Sequence, residues 1–153
     1  MEKELLEEKI ETTTTSNEPY VPVFGQEILR EFVLQEILGK EGPQILYWAG
    51  KQLARKFPVE DFNEILNFFT HAGWGTLTLK KETKHGLELE LSGDILARRF
   101  ELNDDCHFQL EAGFLAQQIE MQKKRMTETL EEKKKKLNKV HFTVQWDSKD
   151  MID

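Results

Sequence analysis

The pair Cys106-His107 has the residue types of a thiol nucleophile and its base. A cysteine becomes a strong nucleophile when a base within hydrogen-bonding reach takes the proton from its sulfur. The pair lies in a stretch with helical periodicity, and adjacent residues of a helix point in different directions. The histidine is therefore not expected to reach the sulfur, and the sequence predicts no catalytic residues.

Metal and phosphate sites each need a recognisable spacing. The chain has neither a His-x-x-x-His pair on one helix nor a Cys-x-x-Cys pair, so its histidines predict no metal site: His71, His85, His107 and His141. The glycines at 73 and 75 follow a predicted helix and precede a predicted strand, whereas a phosphate loop follows a strand and opens a helix. We therefore expect no cofactor.

Length and charge limit the partners of the chain. Its 153 residues fit one domain with its own core, and a net charge of −7 argues against nucleic acid, which needs a concentrated basic face. The basic runs 123–125 and 133–136 lie beside glutamates, which favours a solvated charged edge. A single cysteine, an acidic start unlike a signal peptide and short apolar runs predict a cytoplasmic protein without a membrane span.

The stretch 106–120 is predicted to be the main packing helix. Its apolar stripe is formed by Phe108, Ala112, Leu115 and Ile119, and its opposite face by Gln109, Glu111, Gln117, Gln118 and Glu120. Gly113 lies among small residues, which indicates close approach of another backbone. Gly50 and Ala54 could form the matching shallow groove on a second helix.

Three helices are predicted before any strand, at about 24–38, 43–57 and 60–72. Pro43 suits a first helical turn, Pro58 stops the second helix, and Gly73 ends the third. The polar residues before them predict a disordered tail over 1–18, followed by a single domain over 19–147 and a disordered C-terminus over 148–153.

Two hairpins complete the predicted domain. Leucines alternate with polar residues over about 76–80 and 87–91, and a three-residue loop at 84–86 would place Leu79 opposite Leu91, Lys80 opposite Glu90, and Gly86 in the left-handed conformation. A second hairpin, 126–136 with 140–146, turns at 137–139, and its lysine-rich first strand suits a sheet edge. Residues 92–104 fit either a short helix or a loop, and we favour the helix.

Four sequence segments carry a family resemblance: FGQEILRE (24–31), ILYWAGKQLA (45–54), GWGTL (73–77) and FQLEAGFLA (108–116). With them the chain resembles the YslB family, small uncharacterised proteins of Gram-positive bacteria, over about residues 20–146. It is more distantly similar to 4-vinyl reductase domains and to small TRAPP subunits of Golgi transport.

That wider resemblance implies the α+β fold of the ligand-binding domain in NO signalling and Golgi transport, with helices on an antiparallel sheet in the order ααα-ββ-α-ββ. It also implies a usually dimeric protein with an apolar cavity between helices and sheet. The clustered cysteines of some 4-vinyl reductase-like domains are missing here, so no metal site is carried over. Cys106 matches no acyl-linked cysteine and receives no role.

The resulting hypothesis is a non-catalytic homodimer that binds a hydrophobic small molecule or a partner protein. An unpartnered buried polar group costs roughly 1–3 kcal/mol, whereas each buried methylene gains about 0.8 kcal/mol, so the apolar faces favour an acyl chain or hydrocarbon. The predicted ligand-binding residues are Trp48, Leu53, Leu77, Leu79, Leu89, Leu115 and Ile119, and the predicted dimer interface is Phe24, Ile28, Phe32 and Trp48. A structural interaction module with a filled core, and an enzyme, are the alternatives.

Overall fold

The structure, a computed structural model, describes residues 18–151 and begins with one long helix. This N-terminal helix runs without a break through α1 (Val23–Glu27), a π-helical segment (Ile28–Val33) and α2 (Leu34–Leu38). A 3-10 turn at Gly39–Glu41 leads to α3, and the remaining helices follow in chain order: α3 (Gly42–Lys56), α4 (Phe62–His71), α5 (Asp94–Leu102) and α6 (Gln109–Lys123). The helices predicted before the first strand are confirmed, and α5 confirms the short helix.

Local signals explain where these helices start and stop. Pro43 lies in the first turn of α3, where its missing N–H costs no hydrogen bond. Asp61 caps α4 by accepting a hydrogen bond from the backbone N–H of Glu64 at 2.9 Å. Gly73, just past α4, has a φ of +71° and closes the helix as predicted.

Four antiparallel strands form one sheet in the order β1-β2-β4-β3. Their bounds are β1 (Thr76–Thr83), β2 (Gly86–Ser92), β3 (Arg125–Lys134) and β4 (Lys139–Met151). The predicted fold class, helices packed on two antiparallel hairpins, is confirmed, and β3 lies at an edge as its composition indicates. In the part of the chain that the structure describes, no helix is both long and apolar enough to span a bilayer.

The first hairpin differs from its predicted register. Leu77 pairs with Leu91 and Leu79 with Leu89, and Thr83 pairs with Gly86 around a two-residue turn. The pairing shifts by one residue between Leu79 and Lys81, so β1 contains a bulge, and the turn is one residue shorter than predicted. The predicted pairs Leu79 with Leu91 and Lys80 with Glu90 are therefore wrong.

Gly86 also has a different role from the predicted one. It is not among the residues with positive φ, and it lies within β2 opposite Gln145 of β4. A Cβ at this position would lie 2.4 Å from the carbonyl oxygen of Val144. Glycine is needed here because two strands come close together, and turn geometry is not the reason.

The second hairpin follows the prediction at its turn and extends beyond it at its end. Asn138 takes the left-handed conformation after the 3-10 turn Lys135–Leu137. β4 continues to Met151, past the predicted end at Trp146, so the strand enters the predicted C-terminal tail, whose last residues, 152–153, lie outside the described range. The predicted N-terminal tail, apart from Glu18, also falls outside it.

Side chains of β3 anchor the start of α6. Glu131 accepts hydrogen bonds from the backbone N–H of Phe108 at 2.9 Å and from the side-chain amide of Gln109 at 2.6 Å. Lys133 donates to the carbonyl oxygen of Cys106 at 2.9 Å. The inner side of this charged strand therefore holds the central helix in place, whereas a fully solvated edge had been expected.

α6 lies at the centre of the molecule and is buried on all sides. Three of the polar residues on the face opposite the apolar stripe are buried as well: Glu111, Gln117 and Gln118. Gln118 shows why this is tolerated: its amide donates to the carbonyl oxygen of Phe57 at 2.7 Å and accepts from the N–H of Val59 at 3.2 Å.

The crossing of α6 and α3 is a direct backbone contact. A Cβ on Gly113 would lie 1.9 Å from the carbonyl oxygen of Tyr47, and a Cβ on Gly50 would lie 2.1 Å from that of Leu110. The predicted close approach at Gly113, with Gly50 on the facing helix, is confirmed.

Candidate functional site

A group of six charged side chains joins the N-terminal helix to the rest of the domain, and we call it the ion-pair cluster: Glu27, Arg30, Glu31, Arg98, Arg99 and Glu111. Arg99 of α5 pairs with Glu31 of the N-terminal helix and lies 3.4 Å from a carboxylate oxygen of Glu111. Arg30 reaches inward to the other oxygen of Glu111. Each buried charge therefore has an opposite partner.

The outer member of the cluster is a two-bond contact between Arg98 and Glu27. The Nε and Nη2 atoms of Arg98 donate to the two carboxylate oxygens of Glu27 at 2.8 and 2.7 Å. This bidentate geometry is the strongest that a carboxylate and a guanidinium form. Because three carboxylates face three guanidinium groups, the formal charges of the cluster cancel.

Titration behaviour follows from this burial. Burial alone would raise the pKa of Glu111, but Arg30 and Arg99 hold it below its usual range. Burial, reinforced by the same two arginines, lowers the pKa of His107 to about 4. The carboxylate is therefore ionised and the imidazole neutral at neutral pH.

Cys106 and His107 precede α6, because the helix begins at Gln109 and not at residue 106 as predicted. The thiol is fully buried, and burial raises its pKa to about 11. A thiol with that pKa stays protonated at neutral pH and is a poor nucleophile. Within the described range, no three His, Cys, Asp or Glu side chains come together in a metal-binding arrangement.

The N-terminal helix has an apolar face that points to solvent, and we call it the outer face. It consists of Phe24, Ile28, Leu29, Phe32, Val33 and Ile37, which are 38–71% exposed. The same helix buries Glu27 and Glu31, which are 1% and 2% exposed. The usual arrangement of an amphipathic helix is reversed here.

Part of the outer face forms a shallow groove of about 650 Å³ with the preceding residues. Its walls include Val21, Pro22, Phe24, Ile28 and Leu29. Since an aromatic side chain presents roughly 150–250 Å², the half-exposed Phe24 and Phe32 alone leave on the order of 200 Å² of apolar surface in water. With its four aliphatic neighbours, the face approaches the 300–600 Å² of the largest patch on a typical monomer, which is often functional.

The predicted ligand-binding residues are divided between core and surface. Leu77, Leu89, Leu115 and Ile119 are buried in the main core, and Leu53 packs against it. Trp48 is 61% exposed on α3, and Leu79 is 39% exposed on β1. The structure therefore brings five of the seven together as part of one packed core.

The predicted interface residues are all exposed. Phe24, Ile28 and Phe32 lie on the outer face, at every fourth position of the N-terminal helix, and Trp48 lies on α3. Leu29, Val33 and Ile37 enlarge this surface, and the sequence prediction missed them.

A second groove, of about 1060 Å³, runs along the edge strand β3. Two β3 backbone N–H groups there have side-chain acceptors: Thr127 N–H donates to Glu120 and Thr129 N–H to the hydroxyl of Tyr47, both at 3.1 Å. Burial raises the pKa of Tyr47, so its hydroxyl stays protonated. Most residues that line this groove have polar side chains, in contrast to the outer face.

Sequence reasoning missed the ion-pair cluster. Glu27 and Glu31 lie four residues apart on the side of the N-terminal helix away from its apolar stripe, and such residues normally face water. The one available signal was Glu111, a charge directly before the small residues Ala112 and Gly113 of the packing helix.

Comparison with known proteins gives one family match and one close relative. Residues 23–145 match a family described as "Protein of unknown function (DUF2507)". The chain is 46% identical over 129 residues to the uncharacterised protein YslB of Bacillus subtilis (strain 168), which covers 84% of this chain and 87% of that protein. The YslB resemblance is confirmed.

A solved structure shares the fold at low sequence identity. A vinyl-4-reductase family protein from Methanocaldococcus jannaschii aligns with a TM-score of 0.62 and 17% identity, covering 86% of this chain and 85% of that one. An unliganded Fe(II) H-NOX protein from K. algicida aligns with a TM-score of 0.49 and 13% identity, covering 93% and 86%. The 4-vinyl reductase-like fold is confirmed, and the resemblance to TRAPP subunits stays a prediction.

Proposed function

This chain belongs to the DUF2507 family, and from its geometry we propose that it is a non-catalytic domain that works as a homodimer, joined through the outer face of the N-terminal helix. The observation that carries the proposal is the reversed polarity of this helix. Glu27 and Glu31 are buried against arginines, while the six apolar residues of the outer face point to water. A soluble chain keeps such a face when a partner covers it.

The dimensions of the outer face suit a protein partner better than a small molecule. A helix of this length extends over roughly 24 Å at 1.5 Å per residue, and its apolar side chains are spaced along most of it. Its groove is shallow and open to solvent, whereas small-molecule sites are concave and enclose their ligand.

A second copy of the chain is the simplest occupant. In a twofold dimer the same patch of each copy contacts its counterpart on the other copy, so one apolar face supplies both halves of the interface. The face carries few charges that would select a different partner, and a second copy is present at equal concentration. Neighbouring exposed residues such as Trp48 on α3 could widen the contact toward the roughly 800 Å² per partner of a stable interface.

The absence of catalysis is supported by how the titratable groups are used. The charges of the ion-pair cluster are buried and neutralise one another, and the Cys106 thiol is held in its protonated form. A catalytic site needs such groups to converge on an accessible cleft.

Binding of a hydrophobic molecule is the second candidate, and the apolar groove of about 650 Å³ on the outer face favours it. The apolar cavity predicted between helices and sheet is a less favourable site, because α3 and α6 touch through backbone at Gly50 and Gly113. An acyl chain would therefore compete with the second copy for one surface.

Sedimentation equilibrium tests the homodimer. Wild type should be dimeric at tens of micromolar, and Phe32→Glu should be monomeric because it puts a charge in the centre of the outer face. Leu130→Glu is the matched control: Leu130 is 59% exposed, but it lies on β3. A monomeric wild type, or a Phe32→Glu variant as dimeric as the control, would contradict the proposal.

Native mass spectrometry separates the two candidates. A dimer mass without additional small molecule supports assembly through the outer face. A monomer that retains a hydrophobic molecule, and loses it in Phe32→Glu, would replace the homodimer with ligand binding.

A further inference from the structure

We infer that docking of the N-terminal helix and formation of the dimer are one coupled step, so that the helix leaves the body of the domain, residues 42–151, when the dimer dissociates. This inference rests on the proposed homodimer and adds its regulation: assembly controls whether the ion-pair cluster is closed.

The N-terminal helix contacts the body of the domain largely through charged side chains. The side chains that this helix buries most deeply are Glu27 and Glu31, and they bind Arg98 and Arg99 of α5. Arg30 of the same helix binds Glu111 of α6. Docking therefore closes ion pairs, while most of the apolar surface of the helix remains in water.

The free energy of docking a helix through ion pairs has opposing contributions. Removing charged groups from water is unfavourable, and their mutual attraction offsets that cost only in good geometry. Burial of apolar surface, the main favourable contribution to packing, is largely missing from this contact. A single helix of this length is also marginal in water by itself. The docked helix consequently has little net stabilisation in a monomer.

A second copy of the chain buries the apolar outer face, and it can do so only when the helix is docked. The six residues of the outer face lie on one side only when the segment is helical. They can contact the second copy as one surface only when the helix is held on the body of the domain. Dimer contact and helix docking therefore stabilise each other.

The connection to the body allows such a movement. Gly39 has a φ of +64°, and no atom lies within 4 Å of the position that its Cβ would take. A glycine in open space can change its dihedral angles without a clash. The helix can swing at this point while α3 stays fixed against α6 at Gly50.

Hydrogen exchange of the full-length chain at several concentrations tests the inference, with sedimentation run in parallel. On dilution through the dimer dissociation range, amides of 23–38 should exchange at least roughly tenfold faster, while those of α6 and β2 keep their protection. If the dimer dissociates and 23–38 remains protected, the inference is wrong and the homodimer stands. If the protein is monomeric throughout, the homodimer and the inference are both wrong.

Reciprocity gives a second, independent measurement, because coupled equilibria must affect each other equally. Arg98→Met removes the bidentate partner of Glu27 from α5, outside the outer face, and should weaken dimerisation by about 5- to 150-fold, the usual range for coupled sites. The control Lys84→Met, in the exposed hairpin turn, should leave the dimer unchanged. Equal dimer affinity for Arg98→Met, wild type and control would overturn the inference, even if the dimer itself is confirmed.

Discussion

α6 and the N-terminal helix both bury charged residues, but for opposite reasons. α6 is surrounded by the sheet and by α3, so its polar side chains have to be satisfied inside the protein, as Glu111 and Gln118 are. The N-terminal helix has protein on one side only, and it presents Glu27 and Glu31 to that side. In α6, a buried charge therefore marks a position enclosed by protein on all sides. In the N-terminal helix, it marks a helix whose charged side faces the protein and whose apolar side faces solvent.

The largest expected effect concerns the crowding of α6. Gly113→Leu should destabilise the protein by more than the usual 1–3 kcal/mol of overpacking, because even its Cβ would lie 1.9 Å from the Tyr47 carbonyl oxygen. Urea unfolding measures this change. Gly25→Ala is the matched control on the N-terminal helix, where a Cβ meets no atom within 4 Å, and it should be neutral or stabilising. Equal effects at the two glycines would remove the contrast between the helices.

A somewhat smaller effect is expected from the charge that the two helices share. Glu111→Gln removes the carboxylate that Arg30 binds and one of the two carboxylates beside Arg99, which keeps Glu31, and loss of one partner from a buried pair costs about 3 kcal/mol. Glu36→Gln, at an exposed position of the N-terminal helix, should change stability by less than about 0.5 kcal/mol. Thermal unfolding of both variants would show whether the cluster stabilises the fold, and equal melting temperatures would argue that it does not.

The smallest effect depends on pH. The pKa of His107 is lowered from 6.5 to about 4, so between these values the unfolded chain binds more protons than the folded one. Stability contributed by the neutral imidazole should therefore be complete above about pH 6.5 and be lost as pH falls toward 4, by roughly 2 kcal/mol after allowance for partial exposure. His107→Gln should flatten this part of the pH profile, whereas His85→Gln in the exposed turn should not. An unchanged profile in His107→Gln would assign the acid sensitivity to other groups.

Much of the fold follows from short-range patterns. The alternation of Leu87, Leu89 and Leu91 specifies a half-buried strand, and the small residues around Gly113 specify a close helix contact. The bulge after Leu79 was not predictable, because residues 80–83 are all polar and therefore show no shift in the hydrophobic alternation of β1.

The ion-pair cluster and the outer face were harder to predict from the sequence than the fold. Periodicity identifies an apolar stripe on the N-terminal helix, but it does not say whether that stripe points to the core or away from it. The direction is set by Arg98 and Arg99, which are distant in sequence and bind Glu27 and Glu31. Pairings at such separation need the tertiary structure.

The two hydrogen bonds on the free side of β3 have a consequence for how the sheet ends. An edge strand with open N–H groups invites an extended chain to add to it, which leads to aggregation or to peptide capture. Tyr47 and Glu120 already occupy those donors at Thr129 and Thr127. At the opposite edge, the bulge at Lys80 interrupts the regular spacing that an added strand would need. Sheet extension between copies is therefore disfavoured at these positions of both edge strands, a property that the proposed contact through the N-terminal helix does not depend on.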